Sequence, residues 1–302
     1  MRRHDLAAGL DPQVAAILEI ERIGRLPRLE TMDPPSARSY SNSGFAPLEL
    51  PPAPMREVID TTAGECPVRI FVPEGAGSSW IIYFHGGGGV IGSVASSEPV
   101  TRFIAAETRC TVASVDYRLG PEHKHPAAIE DACAAFASLV SRVRGRVAVA
   151  GDSFGGYLST QVDHLVRGRK PDLQVLIYPM VDQTMSSGSI DRLADGYLLT
   201  KPMMQWFRNG YTNPSDDRRA ISPLFWPDLH GAARTIIATA GFDPLCDEGE
   251  RYAERLREAG VDVCHLRFPS LVHGFISLAG AVRAAHAALE AICREIRATI
   301  AT

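Results

Sequence analysis

The stretch "AGDSFGGY", residues 150–157, sets one serine among three glycines. A glycine inside a helix or strand costs roughly 0.5–1 kcal/mol relative to alanine. Three of them around one hydroxyl point to a backbone requirement. The flanking text supplies it: "RVAVA" reads as a strand and "GGYLSTQVDHLVRG" as the helix that follows. A sharp turn between the two brings strand and helix nearly into contact. Gly151 and Gly155 remove the side chains that would collide there. Ser153 then stands above the sheet, at a helix N-terminus whose first N–H groups are unpaired.

A serine nucleophile needs a base, and the base needs an orienting acid. After a strand–turn–helix nucleophile, the expected chain order is serine, acid, histidine. Asp243 lies in "ATAGFDPLCDEGERYAERL", just past a strand and before a helix. Asp247 is the rival, but it sits where a first-turn helix charge belongs. Among the histidines, His265 falls within a strand and His286 within a helix. His273, in "PSLVHGFIS", follows a strand in a loop and precedes a glycine. Loops at strand ends are where a base reaches a nucleophile, so the expected set is Ser153, Asp243 and His273. A second glycine run, "FHGGGG" (84–89), follows the strand "WIIYF". Consecutive glycines let backbone N–H groups point at a developing oxyanion with no side chain in the way. The N–H of Phe154, directly after the serine, is the further donor.

These residues need a sheet to hold them at the ends of adjacent strands. From about residue 55 strand and helix patterns alternate, with "REVIDTT" and "CPVRIFVP" as an edge pair. "WIIYFH", "CTVASVDY", "RVAVA", "LQVLIYP", "TIIATAG" and "DVCHLRFP" follow as strands. Apolar runs of strand length are expected where helices cover both faces. The fold class is therefore α/β, a mostly parallel sheet with helices on both faces. Some 50 residues between "IYPMVD" and "TIIATAG" carry no strand pattern, and "GYLLTKPMMQWFRNGY" (196–211) within them looks helical. Residues 1–54 differ from the rest: a helix is expected from about Pro12 to Leu26, then a Pro- and Ser-rich arm.

In order along the chain, "HGGGG", "DYRLGPEHKHPAA", "GDSFGG", "DPLCDEG" and "HGF" resemble the hormone-sensitive-lipase-like branch of the α/β-hydrolases, over about residues 55–300. The resemblance implies an α/β-hydrolase fold with an eight-stranded sheet. It also implies a carboxylic-ester hydrolase with Ser153, Asp243 and His273 as triad. By motif position, Gly87, Gly88 and Phe154 supply the oxyanion-hole N–H groups. A helical cap is implied as well, built from residues 1–50 and an insertion at about 185–225, over a catalytic domain of residues 51–302. His85, Phe154 and Trp206 are expected to line the substrate pocket. Two positions depart from the branch: Phe154 and Gly120 stand where alanine is usual. Phe154 is expected to narrow the pocket toward small or flat esters.

Lys and Arg number 31 against 35 Asp and Glu, a net charge of −4, which does not suggest nucleic-acid binding. No uncharged apolar run approaches the roughly 18 residues of a membrane span, and the N-terminus reads as mature chain. The six cysteines form no C-x-x-C pair and read as buried thiols of a cytoplasmic protein. "GGGVIG" (87–92) satisfies a dinucleotide fingerprint on paper, but the next helix start, "SSEPVTRF", comes too late for one. "EHKH" (122–125) lacks a third metal ligand at useful spacing, so neither metal nor cofactor is expected. The expected partner is a small ester, and the C-terminal amphipathic helix offers a surface for a homodimer. The alternatives are a receptor-like binding protein of the same fold, or cleavage or acyl transfer on lactones, carbamates or amides.

Overall fold

The computed structural model describes residues 9–44 and 48–300. The N-terminal reading for residues 1–8, and that part of the 1–50 segment, lie outside the described residues. The chain begins with α1 (Pro12–Gly24) and α2 (Pro34–Gly44), then a hairpin of β1 (Glu57–Ala63) and β2 (Cys66–Val72). Next come β3 (Trp80–Phe84), α3 (Val94–Thr108), β4 (Thr111–Val115) and α4 (Ala127–Val140). β5 (Val147–Asp152), α5 (Phe154–Leu165) and β6 (Leu173–Ile177) follow. Two helices, α6 (Gly188–Arg192) and α7 (Lys201–Tyr211), fill the strandless stretch. The chain closes with β7 (Arg234–Phe242), α8 (Cys246–Glu258), β8 (Val263–Val272) and α9 (Arg283–Ile300).

The eight strands form one sheet in the order β1-β2-β4-β3-β5-β6-β7-β8. β1 and β2 are antiparallel to their neighbours, and every pairing from β4 to β8 is parallel. β4 and β6 are buried at every position. That matches their unbroken apolar text and a helix layer on each face. Val112, Ala150 and Ile236 of the sheet meet Ile104 of α3 and Ile292 of α9 on one side. Val149 and Ile82 meet Phe136 of α4 and Leu158 of α5 on the other. Val14 and Leu18 of α1 join the first of these cores. The apolar stripe of α9, at Ala285, Leu289, Ile292 and Ile296, is buried within its own chain. The surface expected to serve a homodimer is therefore spent on the sheet.

α2 occupies text whose Pro and Ser content suggested an irregular arm. Its start is nonetheless well specified. Pro34 pre-sets the first helical φ. The Asp33 carboxylate accepts the Ser36 N–H at 3.0 Å and the Ser36 hydroxyl at 2.8 Å.

Candidate active site

Ser153 joins β5 to α5 at φ 53° and ψ −113°, a left-handed conformation that costs a non-glycine residue of order 1–3 kcal/mol. Backbone bonds fix it. Its N–H donates to the Ile177 carbonyl at 2.8 Å, and its own carbonyl accepts the Met180 N–H at 3.1 Å and the Tyr157 N–H at 3.2 Å. The glycines have the role read from the sequence. A Cβ on Gly155 would overlap the Phe84 carbonyl, and one on Gly151 would overlap the Gly155 backbone.

β8 delivers His273 past its last residue, where Gly274 at φ 76° turns the chain into a short 3-10 turn. β7 delivers Asp243 in the same way. The His273 Nε2 lies 3.0 Å from Ser153 Oγ, and its Nδ1 lies 2.8 Å from Asp243 Oδ2. Asp243 is fully buried and its Oδ1 accepts the Leu245 N–H at 2.8 Å. A carboxylate only accepts, so Nδ1 carries the proton and Nε2 is free to take one. The Tyr178 ring packs 4.7 Å from the imidazole and limits its rotation. Three residues spread over 120 positions thus meet in one hydrogen-bonded chain.

The rival residues are occupied elsewhere. Asp247 pairs with Arg192 at 2.8 Å and accepts the Ser189 N–H at 2.8 Å. The His265 Nε2 lies 2.9 Å from the Thr239 hydroxyl, and burial holds its pKa down to about 4. His286 neighbours Phe103 on the helical layer. In "EHKH", Glu122 pairs with Arg38, Lys124 caps the Asn209 and Thr212 carbonyls, and His125 faces Asp216. The glycine run ends in a turn, and α3 begins only at Val94, capped by Ser93.

Gly87 and Gly88 have φ of 110° and 62°, in the region that favours glycine. A Cβ on Gly88 would overlap the Phe207 ring, and one on Gly87 the Ile91 carbonyl. Asp152, which the sequence reading passed over, anchors this loop. Its Oδ1 accepts the Gly86 N–H at 2.9 Å and the Tyr83 hydroxyl at 2.7 Å. Burial pushes its carboxyl above the usual range. The signal was available, since Asp152 is the polar x of G-x-S-x-G, one residue before the serine.

Ser153 and His273 open into a cavity of about 1690 Å³. Ile17–Arg22 and Arg25–Glu30 of the N-terminal segment and Asp195–Thr200, Met203 and Phe207 of the α6–α7 region also line it. Of the three expected pocket residues, His85 lines it. Its ring stacks on Tyr117 at 4.3 Å, and its Nδ1 lies 2.7 Å from the Gly86 carbonyl.

The other two require correction. Phe154 is fully buried and does not line the cavity. Its ring sits 4.7 Å from Tyr211, 5.3 Å from Tyr157 and 5.9 Å from Tyr117. It also fills the space that a Cβ on Gly89 would need, at 2.7 Å. The ring points into the core shared with α4 and α5. Trp206 packs with Leu29, Val90 and Ile91 and does not itself line the cavity, while its neighbour Phe207 does. Successive helical residues point about 100° apart, and the helix presents position 207. Gly120 also has a local reason: a Cβ there would overlap the Gly210 carbonyl at the end of α7.

Residues 81–277 match the family described as alpha/beta hydrolase fold. The chain belongs to that family, in its hormone-sensitive-lipase-like branch. It is 39% identical over 294 residues to the carboxylic ester hydrolase LipN of Mycobacterium tuberculosis, covering 89% of this chain and 77% of that one. It is 31% identical over 303 residues to an ethyl acetate hydrolase of Pseudomonas putida, covering 91% and 95% of the two chains. Among solved structures it resembles a serine-to-alanine mutant of LAE6, an α/β-hydrolase enzyme from the metagenome of Lake Arreo. That match has a TM-score of 0.91 and 34% identity, over 96% of this chain and 98% of that one. A thermostable esterase from Pseudomonas putida matches with a TM-score of 0.91 and 28% identity, over 98% and 99%. Among the described residues, no helix is long and apolar enough to cross a membrane. All six cysteines are free thiols.

Proposed function

We propose that the protein is a serine carboxylesterase acting through an acyl-enzyme, with Ser153 as nucleophile, His273 as general base and Asp243 as its orienter. The observation that carries this reading is the chain of two hydrogen bonds, Ser153 Oγ to His273 Nε2 at 3.0 Å and His273 Nδ1 to Asp243 at 2.8 Å. Family membership supports it, as do relatives named for ester hydrolysis.

In the first half-reaction Nε2 takes the Ser153 proton as Oγ bonds the ester carbonyl carbon. The negative oxygen meets the N–H groups of Gly87, Gly88 and Phe154, the last at the positive end of α5. The imidazolium, stabilised by Asp243, returns its proton to the leaving alkoxide, and the alcohol departs. Water then repeats the sequence on the acyl-enzyme: His273 takes its proton, the acid is released, and Ser153 recovers its hydrogen. The segments that line the cavity alongside Ser153, within Ile17–Glu30 and Asp195–Phe207, act as the cap that shapes the substrate space. The acyl group is set by that space and not by Phe154.

The test is steady-state hydrolysis of p-nitrophenyl butanoate by Ser153→Ala and His273→Ala. Each variant should lose roughly 10³-fold or more in kcat while keeping wild-type thermal unfolding. The double variant should be little worse than either single one, because the residues act as a unit. Wild-type turnover by folded Ser153→Ala would end the reading.

A further inference from the structure

Two buried donor atoms in the cavity wall have nothing to donate to. Gln183, six residues beyond β6, and Arg208 of α7 both line the space that Ser153 opens into. The Gln183 side chain is almost wholly buried, and its Nε2 meets no acceptor among the described residues. The Arg208 Nε is buried and equally unpartnered. Buried donors of this kind are rare in folded proteins, because an unmet amide or guanidinium group forfeits its hydration.

The charge balance around them points the same way. Among the described residues no carboxylate pairs with Arg208. Burial pushes its pKa down, and the neighbouring Arg218 adds to that. The two segments are tied together locally: the Ser222 hydroxyl accepts the Gln183 N–H at 2.8 Å and donates to the Arg218 carbonyl at 2.5 Å. The nearest acid in sequence, Asp182, is already saturated. Its two oxygens accept from the backbone and hydroxyl groups of Thr184 and Ser186. A neutral acceptor would satisfy the hydrogen bonds but leave two guanidinium groups repelling each other. A carboxylate would satisfy both, since the planar guanidinium fork matches its geometry.

Sequence neighbours of both residues touch the reacting centre, and the two neighbours pack on one apolar cluster. Met180, three residues before Gln183, donates its N–H to the Ser153 carbonyl at 3.1 Å. Phe207, one residue before Arg208, rests on Gly88. Resting on the esterase reading above, we infer that the enzyme takes esters that carry a carboxylate on one arm, held by Arg208 and Gln183 while the ester carbonyl faces Ser153.

The test uses the full-length enzyme and a pH-stat. One series is ethyl hydrogen succinate through ethyl hydrogen suberate, with the carboxylate on the acyl arm. A second is acetoxyalkanoates of matching length, with the carboxylate on the alcohol arm. Each is paired with its uncharged analogue lacking the carboxylate, and the reading is the ratio of the two kcat/KM values. In the wild type, the ratio should exceed one for at least one length in one series. In Arg208→Gln it should fall by about tenfold or more, while Arg208→Lys, which keeps the charge but loses the planar fork, should fall by less and keep the ratio above that of Arg208→Gln. Raising ionic strength from about 0.05 to about 0.5 M should lower the wild-type ratio. A ratio unmoved by Arg208→Gln overturns the inference, as does a wild-type ratio that does not fall with salt, which would show packing and not charge. Hydrolysis of the uncharged esters by the wild type in either case leaves the esterase reading standing; its absence would sink that reading instead.

Discussion

Replacing Phe154 by alanine should unfold the protein earlier without changing which esters it prefers. The residue is fully buried, so the substitution removes a whole benzyl group from a packed site. Its partners are three tyrosine rings, with Tyr211 edge-on at 4.7 Å and an interplanar angle of 78°. Truncating a buried phenylalanine costs about 3–5 kcal/mol. The upper part of that range applies here, because an edge-on aromatic pair contributes roughly 0.5–1.5 kcal/mol beyond its area. Unfolding entropy near 60 °C is about 2.1 cal/mol/K per residue. For 302 residues, a loss of about 4–5 kcal/mol lowers Tm by roughly 6–8 °C. Thermal and urea unfolding measure the loss, and p-nitrophenyl esters from acetate to decanoate measure the ranking. The order of kcat/KM across the series should match the wild type. A shift toward longer acyl chains with unchanged Tm would refute the placement of the ring in the core and restore the pocket role that the sequence suggested.

Two further outcomes follow from the same geometry. Burial raises the pKa of Asp163 from 3.8 to about 6. A carboxyl raised in this way adds stability below its unfolded pKa and loses it as pH climbs through the folded one, so between pH 4 and pH 7 this group should withdraw up to about 3 kcal/mol. Urea unfolding of the wild type and of Asp163→Asn across that range checks it: the gap between them should open with rising pH, and parallel curves would contradict the assignment. A chain lacking residues 1–26 should lose most activity on p-nitrophenyl esters and bind an apolar-surface dye. It forfeits Val14 and Leu18 from the core and the Ile17–Leu26 stretch of the cavity wall. Unchanged kcat/KM in that chain would show the segment to be dispensable.

The parts of the site that sequence revealed are those where backbone geometry dictates residue type. A strained residue between a strand and a helix needs glycines at 151 and 155, and a loop base needs a strand end, so Ser153, Asp243 and His273 could be picked out in order. The strands were legible because helices cover both faces and leave no polar alternation to blur them. What failed were the questions of direction. Nothing in "GDSFGG" says that the Phe154 ring turns beneath Gly89 and into the core. Nothing in "MMQWFRNGY" says that Phe207 and not Trp206 looks inward; that is fixed by Gly88, more than a hundred residues away. Asp152, Gln183 and Arg208 were missed for a related reason. Their significance lies in the partners they have or lack, and those are set by tertiary structure. α2 was missed because Pro and Ser were read as composition, when Pro34 and Ser36 are positional signals for a helix start.

In the proposed mechanism Ser153 bears the acyl group, and mass spectrometry of the enzyme after treatment with diethyl p-nitrophenyl phosphate reads that residue out. The reagent phosphorylates an activated serine with release of p-nitrophenolate and stalls at that step. One diethylphosphoryl group per chain should appear, on the peptide containing Ser153, with loss of activity in step. Ser153→Ala should take up none at that peptide, and His273→Ala should react far more slowly. Stoichiometric labelling at another residue, or inactivation with Ser153 left unmodified, would contradict that mechanism.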